Sequence, residues 1–270
     1  MRTVLITGGT GSFGHACTAA LLCRSDTARV IVFSRDELKQ SEMRRQFPDP
    51  RFECFLGDVR DPARVRRAFE AQPDLVIHAA ALKQVQACEA NPFEAVQTNV
   101  LGSMHVIEAA IDCRIEKVIA LSTDKAVAPV NTYGKTKALA ESLFIRGNTY
   151  VGRRRTRFSV VRYGNILGSR GSVVPIFLQA RDSGELLVTD YRATRFWMPI
   201  DAAVQFVLNA ADRMQGGEIF IPVIPSATVL AVARAIGPDC RIFETGLTAG
   251  EKLHEALIAP EEVRQTCQHD

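Results

Sequence analysis

Seven residues near the N-terminus, Gly8-Gly9-Thr10-Gly11-Ser12-Phe13-Gly14, constrain the fold of this chain more than any others. They follow a short apolar, β-rich run, Thr3 to Thr7, and precede apolar residues at helical spacing, Ala16, Ala19, Ala20 and Leu22. Strand, glycine-rich turn and helix in that order open a βα unit. Glycines at 8, 11 and 14 let the backbone turn tightly, approach a pyrophosphate and pack helix on strand. The helix N-terminus adds free N–H groups and a dipole suited to an anion. A glycine turn with no ligand is the alternative, and the strand and helix flanks count against it. The turn therefore predicts a dinucleotide site at Gly8, Thr10, Gly11, Ser12, Phe13 and Gly14.

The same alternation continues for two thirds of the chain. Strands are expected near 3–7, 29–34, 52–56, 74–78, 116–121 and 157–163, and helices near 13–24, 37–46, 61–71, 92–112 and 132–148. Short connections between them imply right-handed crossovers and an α/β, Rossmann-like doubly wound parallel sheet. Ligands on such sheets bind beyond the carboxyl ends of the strands. The chemistry-bearing segments fall there: Ser34-Arg35, Asp58-Val59, Ala79-Ala80-Ala81, Thr123 to Lys125, and Tyr163-Gly164-Asn165. Past Asn165 glycine, proline and short elements take over. A dinucleotide-binding domain at 1–165 and a small substrate-capping lobe at 166–270 are expected, with interleaving of the two left open.

The tip of the second strand bears on cofactor choice. An acid there binds the ribose 2′-hydroxyl of NAD, whereas a nearby arginine accommodates the 2′-phosphate of NADP. Here the tip is Ser34 with Arg35 next, so NADP is favoured, while Asp36 keeps NAD open.

Thr123, Asp124 and Lys125 end one apolar run, and Tyr133 and Lys137 open the helical stretch that follows. Tyr and Lys four residues apart share a helix face. A free phenol, with a pKa of about 10, is a poor base at neutral pH. A cation about 4 Å away at an effective dielectric of about 20 is worth roughly 4 kcal/mol, or about three pKa units. Lys137 is thus expected to make a Tyr133 phenolate accessible. Alone the pair would read as an ordinary amphipathic helix; the glycine turn gives it meaning.

The net charge of +3 gives no footing for nucleic acid, and Arg153-Arg154-Arg155 reads as a solvated loop. Seven scattered cysteines without C-x-x-C spacing give neither a disulfide framework nor a metal site and suit a reducing cytoplasm. No apolar run approaches a membrane span, and the first strand begins too early to leave room for a leader.

Together these residues resemble the extended short-chain dehydrogenase/reductase superfamily, and more closely its inverting UDP-N-acetylglucosamine 4,6-dehydratase branch. The resemblance runs from Thr3 to about Ile258, and its specific part is S-T-D-K-A followed unusually soon by Y-G-K-T-K. S-R-D-E-L-K-Q, H-A-A-A-L-K, V-V-R-Y-G-N-I-L-G-S-R-G-S-V-V-P, T-R-F-W and G-E-K-L-H-E are similar to that branch too. The resemblance implies a redox-neutral dehydration with a tightly held, recycled cofactor. Tyr133, assisted by Lys137 and Thr123, would deprotonate the C4 hydroxyl; Lys125 would remove the C5 proton, and Asp124 would help the C6 hydroxyl leave. As a base Lys125 must shed its own proton, which burial beside a cationic cofactor promotes.

The resemblance also implies cofactor contacts at Lys83, Asn99, Tyr133, Lys137, Tyr163 and Asn165, and substrate contacts at Lys83, Asn165 and Glu251; Arg170 and Arg195 are open to two readings, phosphate ligands in the substrate site or ordinary surface arginines. It further implies a homodimer through the 92–112 and 132–148 helices, whose Val96, Val100, Ile107, Leu139 and Leu143 recur at helical spacing. Burial of those faces on the sheet alone is the competing expectation. Two departures fall in the substrate lobe. The pattern has Arg-Pro before G-E-K where this chain has Leu247-Thr248-Ala249, which removes an arginine available to a diphosphate, and the chain stops soon after L-H-E, short of its relatives. A nucleoside or sugar lacking a diphosphate is therefore an alternative substrate. A non-catalytic NADP-binding regulator is a third reading, and intact Thr123, Tyr133 and Lys137 argue against it.

Overall fold

The computed structural model describes residues 2–269. The chain runs through β1 (Arg2–Thr7), α1 (Ser12–Leu22), β2 (Thr27–Ser34), α2 (Glu37–Gln46) and β3 (Phe52–Leu56). Next come α3 (Pro62–Phe69), β4 (Leu75–His78), α4 (Val85–Ala90) and α5 (Pro92–Ala95). A π-helical turn, Val96–Leu101, leads into α6 (Gly102–Asp112), then β5 (Lys117–Thr123), α7 (Thr132–Gly147) and β6 (Arg157–Tyr163). Beyond these lie β7 (Asn165–Ile166), α8 (Val173–Ala180), β8 (Glu185–Val188), β9 (Thr194–Met198), α9 (Ile200–Arg213) and β10 (Ile219–Phe220). β11 (Ser226–Thr228), α10 (Val229–Ile236) and β12 (Arg241–Glu244) follow.

Seven parallel strands form the main sheet in the order β3-β2-β1-β4-β5-β6-β10. The order reverses between β1 and β4, the switch point at which doubly wound sheets bind ligands. Both faces of the sheet are covered, which explains why its strands read as continuous apolar runs. Val4 and Ile6 of β1 pack with Phe13, Cys17 and Leu21 of α1 and with Val204 and Val207 of α9. Leu5, between them, faces the other way, onto Val65 and Phe69 of α3, Val106 of α6 and Phe144 of α7. Burying each such side chain contributes about 1.5–3 kcal/mol. A smaller core around Phe177, Leu186, Trp197 and Val229 holds α8, α10 and the strands of the second lobe.

The expected strands and helices of the first two thirds are present, with two differences. The helix expected over 92–112 is interrupted at Val96–Leu101 by the π turn. Its Asn99 turns inward, and Gly102 passes so close to Val59 that a Cβ would lie 2.8 Å from Val59 Cγ2. A short helix, α4, occupies a stretch between the fourth strand and the 92–112 helix to which the sequence assigns no element. Beyond 165 the chain returns to the first domain: α9 packs on α1 and β10 extends the main sheet beside β6. A cut at 165 therefore divides the sequence but not the fold. Among the described residues no helix is long and apolar enough to cross a membrane.

Candidate active site

Gly8 sits at φ +66°, and a Cβ there would lie 2.6 Å from Ala80 Cα. The turn after β1 thus closes on the loop after β4 only because residue 8 is glycine. Gly14 is equally constrained, since its Cβ would meet Gly9 O at 2.3 Å. A cleft of ≈ 550 Å³ opens above this contact. Thr10, Gly11, Ser12 and Phe13 form one side, and Ala79, Ala80, Ala81 and Lys83 another. Thr123, Lys125, Tyr133 and Lys137 line its far end, with Tyr163, Asn165 and Arg170 on the second lobe's side. A narrower extension of ≈ 110 Å³ runs past Gly8 to Ser34, Arg35, Asp58 and Val59. This elongated shape over a glycine-closed helix N-terminus fits a dinucleotide.

At the extension, Ser34 is buried and its hydroxyl meets that of Thr10 at 2.7 Å. Arg35 keeps half its side chain exposed, 3.6 Å from Asp58. Asp36 caps α2, accepting from Lys39 N at 3.0 Å, and ion-pairs with the Lys39 ammonium. That arrangement turns Asp36 to the helix and leaves Arg35, paired with Asp58, half-exposed at the strand tip. Thr98, from the π turn, also lines this extension and has a buried hydroxyl without a partner.

Asn99 does not reach the cleft. It is 1 % exposed, and its amide accepts from Leu82 N at 2.8 Å and donates to Leu82 O and Thr136 Oγ1 at 3.0 Å. The expected cofactor ligand is instead a clamp on the loop carrying Ala81 and Lys83.

Tyr133 and Lys137 are both buried on α7, whose N-cap Asn131 accepts from Gly134 N at 2.7 Å. Lys137 Nζ donates to Leu121 O at 2.6 Å. Burial lowers its pKa to about 8, against the opposing pull of Glu141. Burial also raises the Tyr133 pKa above the ordinary phenol value, and a hydrogen bond with Thr123 only partly offsets this. The expected stabilisation of a phenolate by Lys137 is therefore not met in this geometry. Burial is the largest influence on Tyr133, and the Lys137 ammonium is directed at a backbone carbonyl.

Asp124 is fully buried and lies behind the cleft wall. Its Oδ1 accepts from Thr123 Oγ1 and from Lys125 Nζ, both at 3.0 Å, while Oδ2 has no partner. Lys125 Nζ also donates to Asn165 Oδ1 at 3.2 Å. Of the pair, only Lys125 fronts the cleft; Asp124 orients it and Thr123, so a direct contact of Asp124 with a leaving hydroxyl is not made here.

Two expected substrate contacts are also elsewhere. Arg195 is 9 % exposed and donates to Thr194 O and Leu253 O at 2.8 and 3.2 Å, bracing backbone instead of facing a phosphate. Glu251 closes a tight turn by accepting from Thr248 N at 3.1 Å. Arg170 does overhang the cleft, donating to Thr10 O at 3.0 Å. Cleft residues that the sequence reading passed over include Lys39, Gln84 and Ser122. Lys39 and Ser122 sit inside or beside segments singled out there.

A reversed-order parallel sheet with a glycine-rich turn at its switch point, and Thr123, Tyr133 and Lys137 gathered beside it, defines an extended short-chain dehydrogenase/reductase. Within that class the chain belongs to the polysaccharide biosynthesis protein family, whose model matches residues 4–270. It is 49% identical over 98% of its length to an inverting UDP-N-acetylglucosamine 4,6-dehydratase of Campylobacter jejuni, of which it covers 80%. It is 42% identical over 97% of its length to a UDP-glucose 4-epimerase of Rickettsia massiliae, of which it covers 79%. The structure of Pen from Bacillus thuringiensis superposes with a TM-score of 0.94 at 38% identity, covering 98% of this chain and 85% of that one.

Proposed function

We propose that this chain is a nucleotide-sugar 4,6-dehydratase acting on a UDP-N-acetylhexosamine with NADP as a retained cofactor. Relatives named as dehydratases and as 4-epimerases both lie within range, so the chemistry of the site must choose between them. Epimerisation at C4 needs oxidation, turnover of the keto sugar and reduction. Nothing in that cycle calls for an amine at C5. The observation that carries the dehydratase reading is Lys125, fronting the cleft near Thr123 and held by Asp124 and Asn165.

The Gly8–Gly14 turn, Ser34 and Arg35 would hold a dinucleotide, whose oxidised nicotinamide would supply the hydride acceptor and later donor. Tyr133, hydrogen-bonded with Thr123, takes the C4 hydroxyl proton. The resulting C4 carbonyl acidifies C5–H, and Lys125 removes that proton. The proton it gains, shared with Asp124 through the 3.0 Å contact, is available to the departing C6 hydroxyl, which leaves as water. C6 is then reduced and C5 reprotonated, so no net oxidation remains.

The half-exposed Arg35 and the helix-capping Asp36 support NADP over NAD in this reading. The seven cysteines are all unpaired, which suits a reducing compartment, and we place the enzyme in the cytoplasm. Phe93, Val96, Met104 and Leu139 remain exposed on α5, the π turn, α6 and α7, while Val100 and Ile107 are buried. We assign the exposed face to a homodimer, which a monomeric mass in solution scattering would reject. Incubation with UDP-N-acetylglucosamine and no added cofactor should give a product lighter by one water; sustained accumulation of NADPH would instead mark a dehydrogenase.

One observation favours a second substrate. Thr248 stands where the family carries arginine and accepts from Gln86 Nε2 at 3.0 Å, and Arg195 is directed at backbone. A diphosphate thus meets fewer arginines here, which leaves room for a nucleoside or sugar without one.

A further inference from the structure

Lys125 meets a second carboxylate besides Asp124. Its Nζ lies 3.5 Å from Oε1 of Glu255, whose Oε2 lies 3.2 Å from Lys252 Nζ. The Glu255 side chain is only 4% exposed and that of Asp124 0%. The lysine is therefore bracketed by two shielded carboxylates from distant parts of the chain. One follows β5; the other belongs to the segment after β12.

That segment is fixed from both sides. Thr194 N donates to Leu253 O at 3.0 Å, and the His254 ring meets the Thr194 hydroxyl at 2.8 Å. Lys252 Nζ donates to Val127 O at 2.6 Å, and Asn131 Nδ2 to Gly250 O at 2.7 Å. The last two contacts tie it to the stretch between Lys125 and Tyr133. A carboxylate shielded from water is costly unless cations meet it, and Lys125 and Lys252 are the cations that face this one. Asp124 is the other anion of the cluster, and the Tyr133 phenol on α7 feels Asp124. His254 is turned towards Thr194 and Glu251 towards Thr248.

We propose that Glu255 is a positioning residue for Lys125. It holds the Lys125 amine at the cleft wall between Asp124 and Asn165. The role rests on Lys125 being the C5 base. It also gives the second lobe a part in the elimination step alone, because Glu255 does not line the cleft and acts only through the lysine.

The test is solvent-deuterium exchange at C5 of UDP-N-acetylglucosamine with the holoenzyme. Glu255→Gln should slow C5 exchange on the order of 100-fold, the usual effect of misplacing a reacting group by about 1 Å. KM and the transient reduction of bound cofactor should be retained. Glu255→Asp, which keeps the carboxylate, should recover part of the lost exchange. A merely structural role would not slow exchange while sparing KM and cofactor reduction. Wild-type exchange in Glu255→Gln, or loss of cofactor reduction in step with exchange, overturns the role of Glu255 while leaving the dehydratase reading intact. Wild-type enzyme that reduces its cofactor but never exchanges C5 overturns both.

Discussion

Replacing Lys137 by Met should stabilise the protein at neutral pH while disabling it. Lys137 is 6 % exposed, and burial lowers its pKa from 10.5 to about 8. Below pH 8 the ammonium is charged in both folded and unfolded chains, so the folded state bears the full desolvation cost of roughly 3 kcal/mol. Met has similar length and no charge. The variant loses the charge-assisted hydrogen bond to Leu121 O, worth about 1.5–3 kcal/mol. A net gain of at most roughly 1 kcal/mol remains. Between about pH 8 and about pH 10.5 the unfolded chain binds more protons at this site than the folded one, so the wild type gains stability as pH rises. The advantage of the variant should therefore shrink across that window and reverse near its top. Urea unfolding of both proteins in the same cofactor state, repeated at several pH values, measures the difference. Parallel stability curves would refute the desolvated ammonium and return Lys137 to an ordinary solvated lysine.

Arg35→Ala should weaken NADP binding by roughly 1.5–3 kcal/mol, the worth of a charge-assisted contact, and leave NAD binding nearly unchanged by calorimetry; equal losses would show that Arg35 does not meet the 2′-phosphate. Tyr133→Phe should keep the fold and bound dinucleotide but abolish cofactor reduction by substrate, whereas Lys125→Ala should still reduce cofactor and stall before water is lost. Lys125→Ala exchanging C5 at the wild-type rate removes it as the base. Thr248→Arg combined with Ala249→Pro restores the family pattern and should raise turnover of UDP-N-acetylglucosamine if the missing arginine limits diphosphate binding. No gain, from a parent already efficient on that substrate, rules out the smaller-substrate alternative.

The strands of the main sheet were legible because each is an apolar run ended by a turn, and burial on both faces imposes that pattern wherever the chain enters the sheet. The return of α9 and β10 was not, since β10 is a two-residue pairing whose place depends on β6, far away in sequence. The π turn was equally hidden. Val96–Leu101 contains no glycine or proline to mark a break, and what accompanies the reshaped backbone is the inward amide of Asn99 with the close approach of Gly102 to Val59.

At the site, sequence spacing brought Tyr133 and Lys137 to one helix face but could not weigh desolvation against charge, and desolvation prevails for both. Arg195 shows the same limit. A sequence displays a guanidinium without displaying its partners, and here these are the carbonyls of Thr194 and Leu253. Glu255 lay within the G-E-K-L-H-E segment, yet only folding brings it 3.5 Å from Lys125.

The most direct test of the central claim follows one hydrogen. UDP-N-acetylglucosamine carrying deuterium at C4 is incubated with the purified protein and no added cofactor, and the product is read by mass and by NMR. A 4,6-dehydratase moves the deuterium from C4 to C6 in a product lighter by one water. Deuterium restored to C4 of an intact sugar would mark an epimerase, and deuterium released in free NADPH would mark a dehydrogenase; either result contradicts the assignment of Lys125 to an elimination.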